Sequence, residues 1–112
     1  MTEFQRKHTF EYRSAESTKI LLKYPNRIPI IVDTGSHLIL DKFKYLVPDN
    51  LTIGQFVYVL RKRMKLPSEN AIFVFINETL PATSASIGHL YQKYKDPDGF
   101  IYFAIRLENT FG

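Results

Sequence analysis

Cysteine is absent from all 112 residues, and so is tryptophan. Without a thiol the chain forms no disulfide, holds no metal through thiolate and supplies no thiol nucleophile. That composition fits a reducing compartment. The longest apolar runs, Ile28 to Val32 and Ala71 to Ile76, fall far short of the roughly 20 residues that span a bilayer as a helix. The opening MTEFQRKH has no apolar core and does not read as a secretory leader. No Gly/Ser-rich linker, low-complexity stretch or internal repeat divides the chain, so residues 1–112 are expected to form one domain. What is present suits a packed core: 45% of residues are hydrophobic and 14% aromatic, and only 23% are charged. Fifteen Lys and Arg against eleven Asp and Glu give a net charge of +4. That balance favours an acidic partner, whether peptide, anionic lipid or nucleic acid.

Catalytic signals are missing too. His8, His37 and His89 lie far apart, with no HExxH spacing to place two ligands on one helix face. Five glycines make no GxGxxG or GxxxxGK phosphate cradle, and no GxSxG elbow occurs. Asp96 and Asp98 fit a turn better than acid–base work. The chain therefore reads as neither enzyme nor metalloprotein, with no cofactor. Its basic residues are spread along the sequence without an aromatic-basic motif of the RNP kind, which argues against nucleic acid.

Periodicity and breakers give the order of elements. Residues from about Phe10 to Tyr24 read as a helix, stopped by Pro25. Ala15, Ile20, Leu21 and Leu22 supply only a ragged apolar face, so this helix is expected on the outside. The β-branched run Ile28-Pro-Ile-Ile-Val32 reads as a buried strand, with Pro29 at its start or at an unpaired position. Thr34-Gly35-Ser36 begins a turn, and Lys44 to Val47 is a second strand ended by Pro48-Asp49-Asn50; the two strands form a hairpin. Thr52-Ile53-Gly54-Gln55 has the form of a capping box. Behind it Ile53, Phe56, Val57, Leu60 and Met64 recur at helical spacing, opposite Arg61, Lys62, Arg63 and Lys65. Pro67 closes that helix. Ala71 to Ile76 is a third strand, and Ser84 or Ser86 caps a short helix through Ile87, Leu90, Tyr91 and Tyr94. Asp96-Pro97-Asp98-Gly99 is a type I turn signal that feeds a last strand, Phe100 to Leu107. This order packs as an α+β fold, a four-stranded mixed sheet wrapped over one main helix. It is the ubiquitin-like β-grasp, with an additional helical N-terminal segment. The expected division is a helical extension over 1–26, a core over 27–107 and a flexible tail over 108–112. That tail ends in Phe111-Gly112. A terminal glycine lets backbone pass a narrow slot and reach a reactive centre without Cβ interference.

The sequence resembles a known family at this point. Tyr24-Pro-Asn-Arg-Ile-Pro-Ile-Ile-Val32, Lys44-Tyr-Leu-Val-Pro48, Leu51 through Arg63, Ala71-Ile-Phe-Val-Phe-Ile-Asn77, Tyr91 to Phe100 and Glu108-Asn-Thr-Phe-Gly112 are similar, in order and over nearly the whole chain, to the autophagy ubiquitin-like modifiers of the GABARAP and microtubule-associated light-chain type. Two stretches depart from the pattern. The loop from Asp33 to Phe43 is shorter, and Phe103-Ala-Ile-Arg-Leu107 replaces a strand in which relatives often have Tyr-Ser or Tyr-Gly.

The resemblance implies a substrate of other enzymes. An activating enzyme adenylates Gly112 with ATP and holds it as a thioester, and a conjugating enzyme transfers it to the amine of phosphatidylethanolamine. A cysteine protease processes and delipidates such chains. The monomer is then cytoplasmic, or lipid-anchored on autophagosomal membranes. It also implies a groove for autophagy receptors with acidic aromatic-x-x-aliphatic motifs. The family's aromatic pocket maps to Glu16, Ile20, Pro29, Ile31, Lys44, Leu46 and Phe100. Its aliphatic pocket maps to Tyr45, Val47, Pro48, Leu51, Phe56 and Val59. Arg27, Lys42 and Arg63 would meet acidic flanks, as would Lys44. Phe73 and Phe75 would form a second docking face. The alternative is an unconjugated ubiquitin-like adaptor that binds acidic peptides in trafficking or on microtubules.

Overall fold

A computed structural model describes residues 1–35, 40–66 and 70–107. Two helices open the chain. α1 (Glu3–Lys7) is short and starts at a capping box in which the Thr2 hydroxyl accepts from Gln5 N–H and the Gln5 side chain accepts from Thr2 N–H. α2 (Phe10–Lys23) is capped by Thr9 and ends two residues before Pro25, in keeping with the proline. Its apolar face is as poor as the sequence suggests. Leu22 is 80% exposed, and the residue α2 buries is Ser17.

Four strands follow: β1 (Arg27–Asp33), β2 (Lys44–Pro48), β3 (Ile72–Phe75) and β4 (Ile101–Leu107). Their order across the sheet is β2-β1-β4-β3. β1 and β4 run parallel at the centre, and the two outer pairs are antiparallel. This is the mixed β-grasp sheet expected from the sequence. α3 (Ile53–Met64) starts at the Thr52–Gln55 capping box and ends at Lys65, which adopts the left-handed conformation. α4 (Ile87–Tyr94) is capped by Ser86, which resolves the choice left open between Ser84 and Ser86. Pro67, assigned to stop α3, lies outside the described residues, as do Ser36 and the tail 108–112. Among the described residues, no helix is long and apolar enough to cross a membrane.

Alternation along the strands divides the interior in two. One face carries Ile28, Ile30, Val32, Tyr45, Val47, Val74, Phe103 and Ile105 against α3 and α4. At its centre the Phe56 ring lies 5.4 Å from the rings of both Tyr45 and Phe103, edge to face. Each such pair adds about 0.5–1.5 kcal/mol beyond area burial. The opposite face carries a smaller cluster of Phe4, Ile31 and Phe100, with Ile20 and Tyr102 packed against it. α1 and α2 cover this side. A single aromatic side chain, Phe4, explains how a five-residue helix holds its place: its ring meets Phe100 at 5.4 Å, edge to face.

A buried polar knot joins α2 to the turn before β4. Asp98 accepts from Arg13 Nε at 2.8 Å, from Phe100 N–H at 2.9 Å and from the Tyr102 hydroxyl at 2.5 Å. The Ser17 hydroxyl donates to the Asp98 carbonyl. A turn is present at Asp96-Pro97-Asp98-Gly99, where the sequence places one, with Gly99 N–H donating to Asp96 C=O at 2.9 Å. Asp98 is more than a turn residue, because its side chain is fully buried. The Asp98 bond raises the Arg13 guanidinium further above its ordinary range. Burial first, and then Asp98, push the Tyr102 phenol far up.

Candidate functional site: an open sheet edge with two flanking surfaces

β2 lies at the end of the sheet, with β1 as its only strand neighbour among the described residues. The ladder fixes which of its backbone groups are free. Val32 N–H donates to the Phe43 carbonyl at 2.7 Å, so residues 32 and 43 form a hydrogen-bonded pair. With the observed register, Ile30 opposite Tyr45 and Ile28 opposite Val47 are the next such pairs. Lys44 and Leu46 fall between them, and their N–H and C=O groups point away from β1 along the outer edge. Pro29 faces Leu46, a position that needs no N–H toward β2. That satisfies the unpaired placement its ring requires.

The side chains expected to form the aromatic pocket gather on the α1/α2 face of this edge. Glu16, Ile20, Lys44 and Leu46 are half-buried and form the accessible part, while Pro29, Ile31 and Phe100 are buried beneath them. Lys44 Nζ contacts Glu16 Oε1 and lies 5.4 Å from the Phe4 ring centroid. Burial lowers the Lys44 ammonium below its usual range. The second carboxylate oxygen, Glu16 Oε2, is buried without a hydrogen-bond partner among the described residues. An idle buried acceptor of this kind is costly until a donor reaches it.

The residues mapped to the aliphatic pocket divide more sharply. Tyr45, Val47 and Phe56 belong to the main core, at 5%, 8% and 0% exposure. Pro48 and Val59 are exposed, and Leu51 is half-buried. The accessible members of this group are therefore Pro48, Leu51 and Val59, and the three others lie in the core. Of the cationic flank, Arg63 pairs with Asp41 at 3.1 Å, Lys42 lies 5.1 Å from the Tyr45 ring centroid, and Arg27 is exposed at the far end of β1. Arg27 shares a depression of about 460 Å³ with Asn26, Asn50, Ser86 and His89. Phe73 and Phe75 are half-buried on the sheet face away from α3. Gly112 lies outside the described residues.

Sequence reasoning missed Phe4, which packs on Ile31 and Phe100, and Arg13, which ties α1 to the rest. Arg13 NH1 donates to the carbonyls of Gln5 and His8 at 3.2 and 2.7 Å. The signal for α1 was in the sequence: Thr2-x-x-Gln5 repeats the spacing of Thr52-x-x-Gln55 and encloses the aromatic Phe4.

A central parallel pair, antiparallel outer strands and one long helix across the sheet define a ubiquitin-like protein, here with two helices added in front. Residues 12–112 match the family model described as autophagy protein Atg8, ubiquitin like. The chain is 54% identical over 112 residues to Autophagy-related protein 8 of Kluyveromyces lactis, covering 97% of this chain and 90% of that protein. It is 52% identical to the protein of the same name in Mycosarcoma maydis, covering 97% and 95%. The crystal structure of Trypanosoma brucei ATG8 superposes with a TM-score of 0.92 at 43% identity, covering 100% of this chain and 99% of that one. Plasmodium falciparum Atg8, solved in complex with a P. falciparum Atg3 peptide, gives a TM-score of 0.84 at 36% identity, covering 95% and 96%. The chain belongs to the Atg8 family of autophagy ubiquitin-like proteins.

Proposed function

We propose that this protein is a modifier joined through Gly112 to phosphatidylethanolamine, and that its β2 edge recruits receptors carrying an aromatic-x-x-aliphatic motif to autophagic membranes. The observation that carries the recruitment is the arrangement around β2. A peptide added as a strand beside Lys44 and Leu46 sends alternate side chains to opposite faces. Residues three apart therefore point to opposite sides. The half-buried Glu16, Ile20 and Leu46 lie on one side, and Leu51, packed against the main core, and Val59 of α3 on the other, with Pro48 ending the strand. The aromatic residue precedes the aliphatic one, and the first surface lies toward the start of β2, so the peptide runs parallel to β2. Glu16 Oε2 favours an aromatic residue with a donor, the indole N–H of tryptophan.

An aromatic side chain of about 150–250 Å² yields roughly 4–6 kcal/mol on burial. After the ordering of a disordered peptide is subtracted, affinity falls on the order of micromolar. Many membrane-held copies then raise avidity.

Conjugation is supported by the Atg3 peptide bound to the P. falciparum relative and by the Phe111-Gly112 pair, which falls within the stretch that matches the Atg8 family model. In this reading the Gly112 carboxylate attacks the α-phosphate of ATP and expels pyrophosphate. A thiol of the activating enzyme displaces AMP to give a thioester, and a thiol of the conjugating enzyme then displaces the first thiol by thioester exchange. The lipid amine finally displaces the conjugating enzyme's thiolate to give an amide. The chain contributes no catalytic group. The two acyl chains then hold it stably, where one would bind only marginally. A cysteine protease reverses the linkage, and the unconjugated chain is a cytoplasmic monomer.

The test is incubation with the family's activating and conjugating enzymes, ATP and liposomes containing phosphatidylethanolamine. The expected result is a lipid adduct from wild type and none from a chain lacking Gly112. Absence of an adduct from wild type, or equal yield from the truncated chain, rejects conjugation.

A further inference from the structure

We infer that the protein has a third side-chain subsite, which takes an aliphatic residue two positions ahead of the partner's aromatic anchor. The inference rests on the reading of β2 as a peptide-binding edge.

A cavity of about 210 Å³ opens between α1 and the start of β2, lined by Phe4, His8, Ile31, Asp33, Leu40 and Phe43 among others. It is smaller than the roughly 300–1,000 Å³ of sites for drug-sized ligands, which suits a single side chain. Its apolar wall combines the Phe4 and Phe43 rings with Ile31, Val32 and Leu40, and Glu3, Lys7 and Asp33 stand at its polar side. The Phe4 and Phe43 rings lie 6.0 Å apart, and Phe43 is 48% exposed, within reach of a partner.

The register places this cavity one step along the groove. Ile31 is paired with Lys44. The next residue of β1, Val32, bonds to Phe43, so Asp33 stands level with Lys42. Ile31 and Asp33 both line the cavity, on the same sheet face as the aromatic pocket. A peptide running parallel to β2 brings its upstream residues past this point. The residue two places before the anchor returns to the anchor's face, roughly 6.6–7 Å upstream. Residues one and three places before it point to the other face. Lys44 Nζ over the Phe4 ring marks the boundary between the aromatic pocket and this cavity. The sequence offered no sign of it, because its lining comes from α1, β1 and the approach to β2.

Calorimetric titration of short acidic peptides tests the inference. The parent has tryptophan, leucine three residues later, and glycine two residues before the tryptophan. Replacing that glycine by leucine is expected to tighten binding about fivefold. Leucine placed one or three residues before the tryptophan gives no such gain. In a Phe43→Ser chain, with thermal melting to verify folding, the leucine advantage falls below about twofold. Equal binding of the glycine and leucine peptides overturns the subsite and leaves the groove reading intact, as does an equal gain from leucine at every upstream position. An undiminished advantage in the Phe43→Ser chain also overturns it. If the parent itself does not bind, the groove reading fails, and the subsite with it.

Discussion

Arg13 and Asp98, 85 residues apart in sequence, meet through Nε and Oδ2 at 2.8 Å with their side chains 11% and 0% exposed. The same guanidinium holds two carbonyls at the end of α1, so one cation connects α1, α2 and the turn before β4. Removing one partner of a buried pair leaves the other charge uncompensated and costs about 3–5 kcal/mol. Asp98→Ala should destabilise the fold by that amount in urea denaturation. The loss should exceed that from Glu3→Ala, whose ion pair with Lys7 lies in solvent.

Gly99 is the second fixed point of this knot. Its φ is +94°, and a Cβ there would lie 2.2 Å from Ser17 Oγ. Gly99→Ala should cost roughly 1–3 kcal/mol through the backbone alone, with the clash added. A Ser17→Gly/Gly99→Ala double variant should recover the steric part only. Thermal melting of the two single variants and the double variant separates the two contributions.

Asp96 provides a pH signature. Burial raises its carboxyl above the ordinary value of 3.8, so the folded state binds the proton more tightly than the unfolded chain. The associated stability is fully present below the unfolded value and is lost as pH rises through the folded one. At neutral pH the ionised group is a burden. Asp96→Asn keeps an oxygen for the bond from Asp98 N–H and should melt higher than wild type at neutral pH. The difference should shrink as pH falls through the window just above 3.8. A melting difference independent of pH would contradict this assignment.

In the groove, Lys44→Ala and Leu46→Ala should each weaken a tryptophan-containing acidic peptide about tenfold, or about 1.4 kcal/mol, in the same calorimetric titration. His89 is unsuitable as a control, since it shares a depression with Arg27. Lys93, exposed in the last turn of α4, is the better choice, and Lys93→Ala should leave the titration unchanged.

What the sequence reveals depends on how local the cause is. β1 and α3 are legible because β-branched residues, a capping box and 3.6-residue spacing act within one element. α1 is too short for periodicity, so its cap is its main local signal. The Arg13–Asp98 knot is hidden because a local turn explains Asp98 completely until the topology brings Arg13 to it. The groove falls between these cases. Apolar character alone does not separate Ile31, buried under Phe4, from Leu46, on the open edge. The ladder does separate them: both share one sheet face, but Ile31 sits on an internal strand under Phe4 and Leu46 on the strand at the end of the sheet.

A strand edge proposed to receive peptides must also refuse copies of its own chain. β2 spans five residues and ends in Pro48, which lacks an N–H to donate. Lys42 and Lys44 stand at its other end. Short length, proline and lysine all blunt edge-to-edge stacking. Under the proposed lipid anchoring, which gathers many copies on one vesicle, this edge stays free for the proposed acidic peptides instead of being consumed by polymerisation.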